Sequence, residues 1–149
     1  MTSFGLLIIR LITGATFSIH GYTKVFGGKE AAAKISPEVE EVLGVGFTQH
    51  VQQGGIGGTT QSMQKLGIPQ AKLAAIALAA AELGGGLALI FGWKTRLAAL
   101  ALTVSQLVAI DKVHGKHGLI ADQGYELNAA LTAATAGLAF SGPGKLAVD

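Results

Sequence analysis

Half of the 149 residues are hydrophobic and only 13% are charged. A soluble domain usually carries about 25% charged residues, so this composition indicates a surface that faces lipid. The chain contains no cysteine, which excludes disulfides, iron–sulfur clusters and thiol catalysis by its own residues. A net charge of +2, scattered along the chain, gives no basis for nucleic-acid binding.

Four apolar segments predict membrane helices, because a spanning helix needs about 20 mostly apolar residues. They lie at about residues 4–26, 71–92, 95–112 and 124–141. The first has no basic residue before its apolar run and no A-x-A cleavage site after it, so we expect a retained helix rather than a signal peptide. Short links after the second and third segments favour antiparallel neighbours. The sequence therefore predicts an all-α integral membrane protein, a single-domain antiparallel four-helix bundle.

A long loop over residues 27–70 separates the first two segments. It begins with charged residues and continues into a glycine-rich tract at 54–58. Ser36 followed by Pro37 predicts a short helix over 37–43, since serine is a preferred N-cap and proline suits the first helical position. We expect the rest of this loop to lie along the membrane surface or to contact a partner.

Small residues mark the faces on which the helices are expected to approach each other. Gly14 and Ser18 lie one turn apart in the first segment, and residues 84–86 of the second are all glycine. In a membrane, small residues let helix backbones come close. These positions are predicted packing surfaces.

Basic residues are unequally divided between the two ends of the predicted bundle. Seven are predicted at the end that bears the long loop and three at the other end. The seven are Lys24, Lys29, Lys34, Lys65, Lys72, Lys112 and Lys116, and the three are Lys94, Arg96 and Lys145. By the positive-inside rule, the loop-bearing end is predicted to be cytoplasmic.

Ionisable residues inside the apolar segments are the first candidates for function, because a charge in hydrocarbon costs about 2.5–3.5 kcal/mol on insertion scales. A helix rises about 1.5 Å per residue, so Arg10 is expected about 9 Å and Glu82 about 15 Å from the end of the bundle that bears the N-terminus. They are predicted to form a buried ion pair, which would relieve both desolvation costs. The pair either fixes the register of the bundle or takes part in proton relay.

A second group of polar residues converges at the loop-bearing end. His20 and Lys24 are four residues apart and share a helix face. Histidine exchanges protons near neutral pH, and a carboxylate beside it can carry the proton onward. We predict a quinone-ring slot, with proton transfer by His20, Asp111 and Glu126 and binding by His20, Lys24 and Tyr125.

Other interpretations of these polar residues stay open. His50 is expected to fold over from the long loop, although loop histidines such as His50, His114 and His117 are often merely solvated. His114, His117 and Asp111 form a weak metal-binding pattern, and no metal site is predicted. Haem is not expected, because His20 has no second deep histidine to face it.

An ordered set of short motifs resembles the DoxX family of small bacterial and archaeal membrane proteins. The motifs occupy residues 7–11, 20–26, 66–69, 82–86, 92–99, 125–127 and 141–146. The resemblance implies a four-helix protein that spans the bacterial or archaeal cell membrane several times. It also implies an association with redox processes, since some relatives are subunits of thiosulfate:quinone oxidoreductase.

Three functions are compatible with this sequence. The leading prediction is a redox-associated membrane subunit with quinone as its cofactor, surrounded by lipid and completed by other redox subunits, because this chain has no electron store of its own. The alternative is a non-catalytic accessory subunit of a larger respiratory or photosynthetic complex, docked through the 27–70 loop. A third is a carrier of a small molecule or lipid inside the bundle.

Overall fold

The computed structural model describes residues 2–149, and within that range every regular element is helical and none is a strand. The α-helices are α1 Thr2–Phe26, α2 Lys29–Ala32, α3 Pro37–Leu43, α4 Phe47–Gln52, α5 Gly55–Lys65, α6 Ala71–Phe91, α7 Thr95–Ala109 and α8 Glu126–Ser141. A π-helix at Ile110–His114 and a 3₁₀ turn at Gly115–His117 continue α7. The four predicted long helices are therefore present, the third ending through a change of helix type.

Three stretches are long and apolar enough to cross a membrane: Ser3–Phe26, Ala71–Phe91 and Thr95–His117. The fourth predicted span corresponds to α8, which has only 16 residues. At about 1.5 Å per residue it is about 24 Å long, short of the roughly 30 Å hydrocarbon layer. Length and composition thus identify three candidate spans among the described residues.

The chain divides into two compact units. The first holds the chain up to Ser18 and from Ala81 to Asp149, and the second holds Ile19–Ala80. Helices α1 and α6 contribute residues to both units.

In the first unit, α7 and α8 run antiparallel, because their contacts follow opposite orders along the two helices. The Arg96 guanidinium reaches the Phe140 carbonyl, and further along α7 the Thr103 hydroxyl donates to the Thr135 hydroxyl at 2.8 Å. Near the other end, Asn128 Nδ2 donates to Gln106 Oε1 at 2.9 Å. These polar side chains satisfy each other between apolar surfaces, as in helix pairs of membrane proteins. The core beside them consists of Phe17, Ala88, Leu89, Ala98, Ala99, Leu102 and Leu138.

Small residues of α1 and α6, predicted as packing surfaces, contact each other within the first unit. A Cβ added at Gly86 would lie 2.6 Å from the Ser18 amide nitrogen and 2.7 Å from the Gly14 carbonyl oxygen. Gly85 instead faces the Leu102 side chain, and a Cβ at Gly84 would meet open space. Gly86 is therefore the glycine that the close helix approach requires.

In the second unit, the stretch predicted as a loop contains four short helices. The predicted helix over 37–43 is confirmed as α3, and the Glu40 carboxylate accepts hydrogen bonds at 3.0 Å from both the Gly46 amide and the Thr48 hydroxyl. These bonds hold the end of α3 to the start of α4.

Glycines let α4 come close to the end of α1. The Gly28 amide donates to the Val51 carbonyl at 2.8 Å, and a Cβ at Gly27 would lie 2.7 Å from both the Gly55 nitrogen and the Val51 oxygen. Side chains larger than hydrogen would separate these backbones. This close approach is what brings α4, which carries His50, against the end of α1.

Candidate functional site

Arg10 is buried in the first unit, with 1% of its surface exposed, and it donates to main-chain carbonyls. Nε donates to Leu89 at 2.9 Å and Nη2 to Ile90 at 3.1 Å, near the end of α6. Nη1 donates to Pro143 at 2.8 Å and to Leu146 at 2.7 Å, in the segment after α8. The last carbonyls of a helix have no partner within it and carry partial negative charge, so a cation there is stabilising.

The sequence did not predict these carbonyl acceptors as the partners of Arg10. Glu82 is also buried, with 5% of its surface exposed. The main-chain oxygens already serve the guanidinium, so its hydrogen bonding does not require the predicted partnership with Glu82. That ion pair stays a prediction.

Asp149 supplies the N-terminal cap of α7. Its Oδ1 accepts from the Lys94 amide at 2.5 Å and its Oδ2 from the Thr95 amide at 2.8 Å. The amide hydrogen bond from Thr95 is the largest influence on the Asp149 carboxyl and lowers its pKa below the usual range. Desolvation opposes this shift, and the Lys94 amide and the positive charge of Arg10 reinforce it. Arg10 and Asp149 together fasten the segment after α8 to the α6–α7 turn.

Gly92, in that turn, fits this arrangement because it has no side chain. Its φ is +69°, and a Cβ there would lie 2.7 Å from Nη2 of Arg10 and 2.6 Å from the Ala147 methyl. Both the left-handed backbone and the space that the guanidinium occupies exclude a larger residue.

The second unit places the predicted His20 beside His50. The two rings are edge to face, with centroids 5.6 Å apart and planes at 82°. The expectation that His50 folds over from the long segment is therefore confirmed. Both side chains keep an exposed surface, so the ring pair is open to a ligand.

Lys24 is the cation of this histidine pair. It lies one helical turn beyond His20 on α1, and Thr23 between them donates its hydroxyl to the His20 carbonyl at 2.8 Å. Partial withdrawal from solvent, together with the Lys24 charge, holds the pKa of His50 below its usual value. The His50 ring is thus neutral at pH 7 and can donate from one nitrogen and accept with the other.

The other predicted site residues lie in the first unit, on either side of the link between the π-helix and α8. Asp111, on the π-helix, pairs with its neighbour Lys112 at 2.8 Å, and both side chains are more than half exposed. Tyr125 immediately precedes α8, and Glu126 is its exposed first residue. The predicted grouping of these residues with His20 and Lys24 stays a prediction.

The weak metal-binding pattern is not supported by the geometry. His114 Nδ1 lies 2.8 Å from the Gln123 carbonyl, which fixes the ring against the link to α8. Across residues 2–149, no three histidine or carboxylate side chains gather as ligands for a metal ion.

A comparison with protein families finds one described as DoxX, whose model matches residues 5–115. The match covers more than half of the chain and includes nearly all of the three candidate membrane spans. No curated protein and no solved structure matches the sequence. The ordered motifs, the apolar helices and this match agree on a membrane protein, and the chain belongs to the DoxX family.

Proposed function

We propose that this protein is a redox-associated membrane subunit that binds the head group of a quinone or quinol at His20, His50 and Lys24. The observation that carries the proposal is the edge-to-face pair of exposed imidazoles beside an ammonium group. Family membership supports the class of function, since DoxX proteins are often associated with quinone oxidoreductases.

The chemistry of the pair suits a quinone. Two imidazoles at nearly a right angle offer N–H donors to a carbonyl oxygen of the oxidised form and acceptors for a hydroxyl of the reduced form. The Lys24 ammonium favours any anionic intermediate state of the ring. A quinone takes up two electrons and two protons to become a quinol. In this proposal the imidazoles exchange the protons, and a partner subunit supplies or removes the electrons.

An exposed apolar surface lies on another face of α1, near the same end of the helix as His20. Ile19, Tyr22 and Phe26 on α1 are all exposed, and the last two rings lie 5.0 Å apart. In a bilayer these side chains would face the hydrocarbon from which a quinone enters.

The proposed architecture is the antiparallel four-helix bundle, crossing a bacterial or archaeal cell membrane several times with α8 as its fourth span. The antiparallel contacts of α7 with α8 support it, as does the attachment of residues 143–149 to the α6–α7 turn. In that arrangement Asp111, Tyr125 and Glu126 would lie at a membrane surface and pass protons to water.

Quinone binding by matched histidine variants tests the proposal. The protein is purified in mild detergent, its bound quinones are extracted and quantified, and a short-chain quinone is titrated into it. We expect His20→Ala and His50→Ala each to weaken binding roughly tenfold, the loss of about one hydrogen bond. His117→Ala, an exposed histidine outside the pair, should bind as the unchanged protein does. Quinone absent from every preparation, or an equal loss in His117→Ala, contradicts the proposal.

A second candidate, an accessory subunit, is favoured by the exposed apolar side chains of α3 and the link after it. Val42 and Val45 are 82% and 105% exposed, and α3 has no buried residue. Such a surface is typical of a docking site. In this case Val42→Ser with Val45→Ser would release a stoichiometric partner complex during purification, and quinone binding would be absent from the isolated chain.

A further inference from the structure

The second unit contains a groove between α5 and the start of α6. Its volume is about 470 Å³, within the usual range for a small-molecule site. Its lining includes Thr60, Gln64, Gln70, Lys72, Leu73 and Ile76. We infer that this groove binds an anionic phospholipid, with the phosphate at its polar end and the upper acyl chain along its apolar end.

The polar end of the groove suits a phosphate group. The side-chain amides of Gln64 and Gln70 each carry two N–H donors, and Lys72 carries an ammonium group. Lys72 is the only charged residue in the lining, and none of the lining residues is acidic. Hydrogen bonds from a charged donor to phosphate oxygens are stronger than those between neutral groups. The charge of the groove therefore complements a negative head group.

The apolar end of the groove belongs to a helix that is long and apolar enough to enter the membrane. Leu73 and Ile76 are three residues apart on α6 and so share a face, and they are 61% and 44% exposed. The candidate span begins at Ala71, which puts Lys72 at the boundary where lysine side chains extend to the head groups. Leu73 and Ile76 then contact the hydrocarbon directly below a phosphate that is bound by Lys72.

A lipid accounts for both ends of the groove at once. A soluble phosphate would engage the donors but leave Leu73 and Ile76 uncovered, and a zwitterionic lipid would bring a second cation beside Lys72 together with its phosphate. The groove shares no residue with the histidine pair. Its occupancy is therefore separate from quinone binding, and either proposal can fail alone.

The test compares two lipids that differ only in head group. The detergent-solubilised full chain is titrated with dioleoyl phosphatidylglycerol and with dioleoyl phosphatidylcholine, and bound lipid is counted by native mass spectrometry. We expect the phosphatidylglycerol to bind roughly fivefold more tightly, which corresponds to about 1 kcal/mol for one lysine near the membrane surface. Lys72→Gln should abolish this preference.

Two further variants make the test specific. Lys116→Gln removes an exposed lysine in the first unit and should keep the full preference. Thr60→Phe places a ring in the groove and should weaken both lipids. Circular dichroism and the elution volume confirm that each variant is folded. The proposal is overturned by equal binding of the two lipids to the unchanged protein, by the same loss in Lys116→Gln, or by displacement of bound lipid with glycerol phosphate.

Discussion

Arg10 shows how one residue in an apolar helix acquires its role from distant parts of the chain. Its position within a predicted span marks it as exceptional, because arginine in hydrocarbon is costly. Its partners are carbonyls of residues 79 to 136 positions away in the sequence. No local pattern in the sequence indicates those carbonyls. The sequence therefore predicts Glu82, the acidic residue at a similar depth, as the partner of Arg10.

Replacing Arg10 should strongly destabilise the first unit. Arg10→Met keeps an unbranched apolar stem but removes the guanidinium and its four hydrogen bonds, and each bond with a charged donor contributes roughly 1.5–3 kcal/mol. We expect a loss of at least about 3 kcal/mol in unfolding free energy, measured by thermal denaturation in detergent and followed by circular dichroism.

Arg96→Met is the matched control for that substitution. Arg96 also donates to the carbonyls at the end of a helix, at Ala139 and Phe140, but it is exposed. A cation at an exposed helix end contributes about 0.3–1 kcal/mol. Equal losses in the two variants would show that burial of the Arg10 guanidinium does not matter.

At the scale of the helices, the sequence predicts the close approach of α1 and α6 only in part, and it does not predict the cap at the start of α7. The run of glycines at 84–86 predicts a close approach, yet it does not say which glycine is required, since a small shift in helix rotation would exchange them. The structure selects Gly86, which faces Gly14 and Ser18. The cap of α7 by Asp149 has no sequence signal, because the two lie 54 residues apart.

Gly86→Ala should therefore destabilise the protein more than Gly84→Ala. The added methyl at Gly86 would press on the Ser18 amide and the Gly14 carbonyl, and overpacking typically costs about 1–3 kcal/mol. Gly84 has open space around its Cβ position, so alanine there should be neutral or stabilising by up to about 1 kcal/mol through helix propensity. Melting temperatures of the two variants under one detergent condition decide the order, and the reverse order refutes the assigned contact.

The Asp149 cap should give stability a defined dependence on pH. Its pKa is lowered in the folded protein, so its contribution is complete above the usual value of 3.8 and disappears as the pH falls through the lowered value. At pH 7 we expect Asp149→Asn to lower the melting temperature by about 2 °C. The difference should vanish in acid, where the carboxyl is protonated. A difference that is the same at pH 7 and at the lowest pH at which the protein stays folded, with no decline as the pH falls below 3.8, would exclude the charged cap as its cause.

At the scale of the whole molecule, the apolar segments predict a membrane protein, and three of the four segments meet the length for a span. The fourth, α8, is short. Its antiparallel contacts with α7 and the attachment of Pro143 and Leu146 to Arg10 bring the segment after α8 back to the α6–α7 turn. If α7 crosses the membrane, α8 must cross it in the opposite direction, which gives the proposed four-helix bundle.

Single cysteines can test this topology, because the chain has none of its own. Lys34→Cys, Lys94→Cys and Lys145→Cys replace exposed lysines. A membrane-impermeant maleimide applied to intact cells should label positions 94 and 145, and should label position 34 only after permeabilisation. Labelling of position 145 together with position 34 would mean that α8 does not cross.

The sequence by itself determined the four long helices, the membrane class, the family and the short helix at 37–43, because apolar length, capping residues and ordered motifs are local properties. It also singled out Arg10 and His20, since ionisable residues in apolar segments are conspicuous. Only the tertiary structure decided the carbonyl partners of Arg10 and the edge-to-face geometry of the His20 and His50 rings. Those contacts join parts of the chain that are distant in sequence, and their geometry depends on how the helices pack.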